Sequence, residues 1–271
     1  MSPQNNAVND MEAADGVTLV LGDGGLKGGF IAGAADGLLT ALPELYLRIN
    51  SLAGVSAGAG NVIYFLAYGE NHPGRRMWTE YLALPGFLRF DGIKSIYNQH
   101  PIYNLEFMIN ILFKEKNPVD ENKINYGGKK YFIPVYDIEK KEVVTFTNSI
   151  KMDEDTETIK STLGRDIYQI LKAASAAPLI YDDYVVIEGA KYMDAASKEP
   201  IPVDNTMIKN SKKIVILSKG RANISAKLRY FLIGIGYIAL VMPFKRNRLP
   251  LSAYLDYAYK PWRWNRLFDS M

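Results

Sequence analysis

Apolar runs and helical segments alternate along the first 70 residues of the chain. Val17–Leu21 is a short apolar run of the buried-strand type, and Phe30–Leu42 has a helical pattern. A second strand is predicted over Ser51–Val55, and a second helix over Ala57–Tyr68. This strand–turn–helix alternation predicts an α/β fold with a mostly parallel sheet covered by helices.

The rest of the chain continues the α/β pattern. Residues 73–125 are a mixture of helical and loop segments, and the apolar runs 131–138 and 142–147 flank a polar turn and predict a β-hairpin. Arg165–Ala177 has a helical pattern that ends before Pro178. Further strands are predicted over residues 184–189, 191–195 and 212–218.

Composition and length fit one large domain. The chain has 271 residues, 48% of them hydrophobic, and it contains no cysteine, which excludes disulfides, thiolate metal sites and a cysteine nucleophile. Residues 1–16 are polar and lack the apolar core of a Sec signal peptide, so we expect a cytoplasmic or peripheral membrane protein. We expect residues 1–16 to be flexible, residues 17–218 to form the α/β domain, and residues 219–271 to form a helical extension.

The basic charge is concentrated in this extension. Residues 219–271 carry ten Lys or Arg and two Asp, which leaves 22 basic and 27 acidic side chains in the first 218 residues. The apolar stretch Tyr230–Phe244 is shorter than the ~20 residues of a spanning helix, which favours a buried core helix over a membrane-inserting one. Aromatic and basic residues follow it and are typical of a lipid interface. We therefore expect membrane contact through residues 228–268 and no nucleic-acid binding, since no recognised module accompanies the charge.

A serine lies between two glycines where the second strand meets the second helix. Gly54 to Gly58 has the form G-x-S-x-G, centred on Ser56. At a nucleophile elbow a serine occupies a strained strand-to-helix turn, and the flanking glycines, here Gly54 and Gly58, allow the neighbouring backbone to approach closely. The alternative is a corner of small residues that serves packing alone.

A nucleophilic serine needs a base, and the histidines are poorly placed for that role. His72 and His100 each lie beside a proline in a turn-rich region, and no histidine follows them. The Ser, Asp, His order of an α/β-hydrolase triad is therefore disfavoured. Asp194, at the end of a predicted strand, is the candidate carboxylate base; a turn or cap role is the alternative.

A glycine-rich loop follows the first strand. Residues 22–29 read GDGGLKGG and open the first helix, so their backbone N–H groups suit a developing negative charge. A nucleotide-phosphate loop is the competing interpretation. The dinucleotide-binding pattern G-x-G-x-x-G, with an acidic residue about twenty positions later, is not present. The P-loop pattern is not present either, because Lys27 is followed by Gly28 rather than Ser or Thr.

The ordered set of motifs resembles the patatin-like phospholipase family over roughly Val17–Ser218. Its G-G-G-x-[KR]-G pattern falls on residues 23–28 with Asp23 as the first residue, and G-x-S-x-G is complete at residues 54–58. The segment 174–204, which begins ASAAP, resembles the second signature region. Its D-G-[GA] element is Asp194 followed by Ala195 and Ala196.

The resemblance implies a three-layer α/β/α fold and a dyad of Ser56 and Asp194 that needs no histidine, metal or cofactor. It implies cleavage of phospholipid or lysophospholipid esters through an acyl-enzyme, with Lys27 biasing the site toward anionic substrates. The implied oxyanion hole comprises Gly24, Gly25, Leu26 and Lys27.

Two departures from the family pattern support an alternative, a weakened or inactive homologue that binds lipid. Asp23 introduces a negative charge beside the oxyanion loop, and Ala195 would be unfavourable if its position required a positive φ.

Overall fold

A computed structural model gives the conformation of most of the predicted α/β domain. It describes residues 16–69, 76–89, 102–178, 180, 181, 183–202, 213–218, 228, 232 and 249–256. All but the last residue of the predicted N-terminal segment, and most of the predicted extension, lie outside the described residues. His72 and His100 also lie outside them.

Eight strands form the sheet of the described residues. They are β1 (Val17–Leu21), β2 (Ile49–Gly54), β3 (Lys130–Asp137), β4 (Glu142–Thr147), β5 (Ile159–Ser161), β6 (Val185–Ile187), β7 (Ala190–Asp194) and β8 (Lys213–Leu217). The main order is β5-β4-β3-β2-β1-β8, with β7 also on β3 and β6 on β7. Four pairings are parallel (β1–β2, β1–β8, β2–β3 and β4–β5) and three are antiparallel. The predicted, mostly parallel α/β sheet and the β3–β4 hairpin are confirmed.

Helices flank the sheet. In the described residues of the α/β domain, the α-helices are α1 (Gly28–Ala41), α2 (Pro43–Arg48), α3 (Ala57–Tyr68), α4 (Leu105–Phe107), α5 (Glu121–Tyr126) and α6 (Ile167–Ser175). Residues 251–256 are also helical. Two π-helical segments span Met77–Tyr81 and Met108–Lys116, and 3₁₀ turns span Gly25–Lys27, Met152–Glu154 and Ala195–Ser197. The observed α3 has the predicted bounds.

Local chemistry explains where helices begin. The Asp120 carboxylate accepts hydrogen bonds from the N–H groups of Asn122 and Lys123 at the start of α5, and Asp166 accepts one from Tyr168 at the start of α6. Such N-caps satisfy N–H groups that have no partner within the helix.

Strand β3 changes partner halfway along one edge. Its residues 130–132 pair in parallel with residues 51–53 of β2, whereas residues 135–137 pair antiparallel with residues 192–194 of β7. Pro134 lies between the two pairings, at a point where a residue without an N–H is tolerated. Because β2 and β7 run toward this point from opposite directions, their carboxyl ends face each other across it.

The two faces of the sheet carry separate hydrophobic clusters. Alternate strand residues point to opposite faces, so Val135 packs in the larger cluster and Tyr136 in the smaller one. The smaller cluster includes Leu249, Ala253 and Tyr254 from the predicted extension. Within the part of the chain that the structure describes, no helix has the length and apolar character needed to cross a membrane.

Candidate active site

Ser56 occupies a strained turn between β2 and α3. Its backbone has φ 56° and ψ −126°, and its residue surface is 7% exposed. A positive φ is uncommon for a residue with a Cβ and costs of order 1–3 kcal/mol. Two hydrogen bonds hold the turn, from the Gly58 N–H to the Val55 carbonyl at 2.9 Å and from the Ala59 N–H to the Ser56 carbonyl at 3.0 Å. The surrounding fold therefore maintains the strain at this serine.

The glycines on either side of Ser56 are required by close backbone contacts. A Cβ on Gly54 would lie 2.4 Å from the Gly58 carbonyl oxygen, and a Cβ on Gly58 would lie 2.1 Å from that of Leu21. Neither distance leaves room for a carbon atom. The two glycines of the G-x-S-x-G pattern are therefore needed because α3 approaches the ends of β1 and β2 closely.

The glycine-rich loop lies beside this turn because β1 and β2 are parallel neighbours. Leu21 at the end of β1 pairs with Gly54 at the end of β2, so the segments that follow both strands leave the same edge of the sheet. The loop is anchored by hydrogen bonds from the Gly22 N–H to the Leu217 carbonyl and from the Asp23 N–H to the Pro200 carbonyl.

The loop turns into a short 3₁₀ helix through a crowded backbone. A Cβ on Gly24 would lie 2.5 Å from the Gly28 nitrogen, and Gly25 has φ 51°. The first N–H groups of a helical turn have no partner within it, and Gly24, Gly25 and Leu26 all line the cavity beside Ser56. Lys27 is exposed, and its N–H donates to the Gly24 carbonyl at 2.9 Å. The structure therefore separates Lys27 from the other three predicted oxyanion residues.

Asp194 lines the same cavity as Ser56. It ends β7, is 2% exposed, and lies where β7 and β2 converge along β3. Its Oδ1 accepts a hydrogen bond from the Ala196 N–H at 2.8 Å, and its own N–H donates to the Ala176 carbonyl at 3.1 Å. These bonds fix the carboxylate on the wall of the cavity.

Ala195 fits its position without backbone strain. It begins the 3₁₀ turn Ala195–Ser197 and is fully buried. Among the described residues the non-glycine residues with positive φ are Ser56, Lys141 and Glu188. A glycine is therefore not needed at position 195. Asp23, the other departure, is 2% exposed and lines the cavity next to Gly24.

The lining of the cavity combines a few polar side chains with many apolar ones. Its empty volume is about 810 Å³, including space open to solvent. The polar side chains are those of Ser56, Asp194, Asp23, Asn61 and Ser175. The large apolar and aromatic wall residues are Leu26, Tyr64, Met77, Trp78, Leu82, Phe87, Tyr103, Leu105, Met108, Phe113 and Ile180. Most come from residues 76–116, which the sequence showed only as mixed helix and loop.

Asn61 connects one wall of the cavity to the glycine-rich loop. This α3 residue is 2% exposed, donates to the Gly28 carbonyl at 3.1 Å, and accepts a hydrogen bond from the Trp78 indole at 2.8 Å. The indole also packs against Gly28, where a Cβ would lie 2.5 Å from a ring carbon. Asn61 was not predicted, although an amide in the apolar run NVIYFLAY was a visible signal.

Tyr64 forms part of the apolar wall. Burial raises the pKa of its hydroxyl well above the ordinary value, so the side chain is neutral. The hydroxyl donates to the Met77 sulfur at 3.7 Å, and the ring stacks on Phe113 with centroids 4.9 Å apart. Tyr64 therefore contributes packing rather than acid–base chemistry.

The fold and these features define an α/β protein with a serine in a strained strand-to-helix turn beside a glycine-rich loop. The model of the patatin-like phospholipase family matches residues 19–207. The chain belongs to this family, which confirms the resemblance found in its motifs.

Other comparisons give the wider context. No curated protein matches the chain significantly. Among solved structures, the chain is similar to the crystal structure of VipD from Legionella pneumophila, with 12% sequence identity and a TM-score of 0.44. The alignment covers 85% of this chain and 55% of the VipD chain, so this chain spans about half the length of VipD.

Proposed function

We propose that this protein is a serine lipid acyl hydrolase that cleaves the esters of phospholipids or lysophospholipids through a dyad of Ser56 and Asp194. The observation that carries the proposal is one cavity lined by both side chains, with a strained backbone at Ser56 and a buried carboxylate at Asp194. The apolar walls suit a fatty-acyl chain, because ligand pockets for apolar groups are lined by such side chains. A carboxylate removed from bulk water is also a stronger base.

The first half of the proposed reaction transfers the acyl group to the enzyme. The Ser56 Oγ attacks the ester carbonyl carbon while its proton moves to Asp194. Because Oδ1 of Asp194 already binds the Ala196 N–H, we assign the proton to Oδ2. The resulting oxyanion accepts hydrogen bonds from N–H groups of the loop at residues 24–26. The ester C–O bond then breaks, and the leaving alcohol takes the proton from Asp194.

The second half releases the fatty acid. A water molecule gives a proton to Asp194 and adds to the acyl carbon, and the same loop N–H groups bind the oxyanion. The bond to the Ser56 Oγ breaks, and Asp194 returns the proton to that oxygen. The balance is one water consumed and one ester converted to an acid and an alcohol, with no cofactor.

Lipid contact outside the cavity completes the proposal. Lys27 is exposed beside Leu26, which is part of the cavity wall, so its ammonium is positioned to attract an anionic headgroup at the entrance. Membrane contact through residues 228–268 is supported by Leu228 and Leu232, which are four residues apart and 54% and 58% exposed. Exposed leucines at this helical spacing suit an interfacial segment.

A fluorophosphonate probe tests the dyad directly, because only an activated serine is labelled. We expect labelling at Ser56 and hydrolysis of p-nitrophenyl esters and lysophospholipid. Ser56→Ala and Asp194→Asn should each abolish labelling and ester hydrolysis and leave the circular dichroism spectrum unchanged. The fold should tolerate Asp194→Asn, since the introduced amide keeps an acceptor for the Ala196 N–H. The matched controls are Ser51→Ala on β2, the strand that leads to Ser56, and Asp153→Asn at an exposed position, and both should retain activity.

Retained ester hydrolysis in Asp194→Asn would contradict the dyad. A second candidate, a lipid-binding homologue without turnover, is favoured by one observation: the buried carboxylate of Asp23 next to Gly24, where it opposes a developing negative charge. Absence of labelling in the folded wild-type protein, together with binding of a fluorescent fatty acid, would select this candidate.

A further inference from the structure

Two large apolar side chains are exposed where the glycine-rich loop leads into α1. Leu26 lines the cavity, yet it is 54% exposed, and Phe30 is 69% exposed. They are four residues apart on a continuous helical segment, the 3₁₀ turn Gly25–Lys27 followed by α1, so they lie near each other on one side. Lys27 lies between them in the sequence and is also exposed. We call Leu26, Lys27 and Phe30 the entrance patch.

The outer side of α1 extends this surface, and its one acidic residue, Asp36, is only partly exposed. The exposed residues of the helix are Phe30, Gly33, Gly37, Thr40 and Ala41, and none of them is charged. The solvent face of a globular helix is ordinarily polar or charged. Space around Gly33 and Gly37 is open, since a Cβ on either would meet no atom within 4 Å. A broad, flat surface can therefore approach α1 along this side.

We infer that the entrance patch inserts into a lipid surface and delivers the acyl chain directly into the cavity. The inference rests on the proposed function, because it assigns the source of the substrate. Leu26 belongs to both the exposed patch and the cavity wall, so an acyl chain leaving a bilayer at Phe30 meets apolar surface without a gap. The Lys27 ammonium complements anionic headgroups at the depth where an interfacial helix lies.

The absence of cysteine from the chain makes a site-specific test possible. A single cysteine is introduced as Phe30→Cys and labelled with the environment-sensitive fluorophore NBD, in the full-length Ser56→Ala protein so that lipid is not consumed. The matched control is Leu47→Cys on α2, since Leu47 is even more exposed, at 79%. Both proteins are mixed with vesicles of phosphatidylcholine containing about 30 mol % phosphatidylglycerol.

The label at position 30 should brighten and shift to shorter wavelength with vesicles, and lipid-borne nitroxides should quench it. The label at position 47 should do neither. Unlabelled Phe30→Ser should bind vesicles about tenfold more weakly than Leu47→Ser, because burial of one Phe side chain is lost. In an otherwise wild-type chain, Leu47→Ser should leave hydrolysis of a soluble short-chain ester unchanged, and Phe30→Ser should lower hydrolysis of vesicle lipid more than hydrolysis of that ester.

An unchanged signal at position 30, with or without co-flotation of the protein and vesicles, would overturn the inference. A change that depends on protein concentration rather than on lipid would also overturn it, in favour of self-association. These outcomes are independent of turnover, so failure of the hydrolase proposal in the probe experiment is distinguishable from failure of this one.

Discussion

Replacing Ser56 by glycine or by alanine separates the backbone strain of the turn from the chemistry of the hydroxyl. Both substitutions remove the proposed nucleophile and should abolish hydrolysis. Only Ser56→Gly also removes the Cβ that makes φ 56° and ψ −126° unfavourable. We therefore predict that Ser56→Gly is inactive and more stable than Ser56→Ala.

The expected gain follows from two opposing terms. Glycine has no Cβ and so avoids the backbone strain of this region, which stabilises the folded Ser56→Gly protein by about 2 kcal/mol, within the usual range of about 1–3 kcal/mol. The greater freedom of glycine in the unfolded chain subtracts about 0.5–1 kcal/mol. The net difference in unfolding free energy is about 1 kcal/mol in favour of Ser56→Gly, or about 2–4 °C in Tm for a chain of this size.

Thermal and urea unfolding followed by circular dichroism measure this difference. Lys141, which has φ 61° in the β3–β4 turn, provides a control, because it has a similar backbone strain and no proposed role in the reaction. Lys141→Gly should likewise exceed Lys141→Ala in stability, with hydrolysis unchanged in both. If Ser56→Gly were no more stable than Ser56→Ala while the Lys141 pair behaved as expected, the turn would not store strain.

Three further predictions, the first with a control substitution, concern residues around the cavity. Gly58→Ala should destabilise the protein by about 3 kcal/mol or more in urea unfolding, because its Cβ would overlap the Leu21 carbonyl oxygen at 2.1 Å. The control is Gly60→Ala on the same helix, whose Cβ would lie 3.4 Å from a ring carbon of Phe113, and this variant should be neutral or stabilising. Asn61→Leu should cost about 2–4 kcal/mol in the same measurement, since it removes the hydrogen bond to the Gly28 carbonyl and leaves the Trp78 indole N–H without its acceptor. Asp23→Gly should raise kcat for p-nitrophenyl butyrate about tenfold by removing a buried acidic side chain beside the proposed oxyanion loop. An unchanged or lower kcat in the folded variant would contradict that role.

The sequence was sufficient to predict the elements with strong local signals. The helix after Ser56 has the predicted bounds, and the hairpin of β3 and β4 was readable from its apolar runs and polar turn. The strand Ile159–Ser161 was not predicted because three residues carry too little periodic pattern. The segment Met108–Lys116 has a helical pattern, but the choice between α and π hydrogen bonding is made by packing.

The candidate site was predictable where consecutive residues share one loop, and less so where distant segments meet. Gly54 was identifiable because its close contact, with Gly58, lies within the same turn, whereas the contact that requires glycine at position 58 is with Leu21 on another strand. The roles of Lys27 and Asn61 depend on which way each points, which the sequence does not determine. The wall that includes Trp78 required the tertiary structure, since its ring rests on Gly28, fifty residues earlier.

The change of partner at Pro134 has a consequence during synthesis on the ribosome. The serine is translated almost 140 residues before the aspartate, and the two converge only after β7 has been added antiparallel to a strand that already holds β2. A nascent or truncated chain that ends before residue 190 contains the proposed nucleophile without its proposed base. On the proposed mechanism, the order of translation therefore delays lipolysis until the sheet is nearly complete.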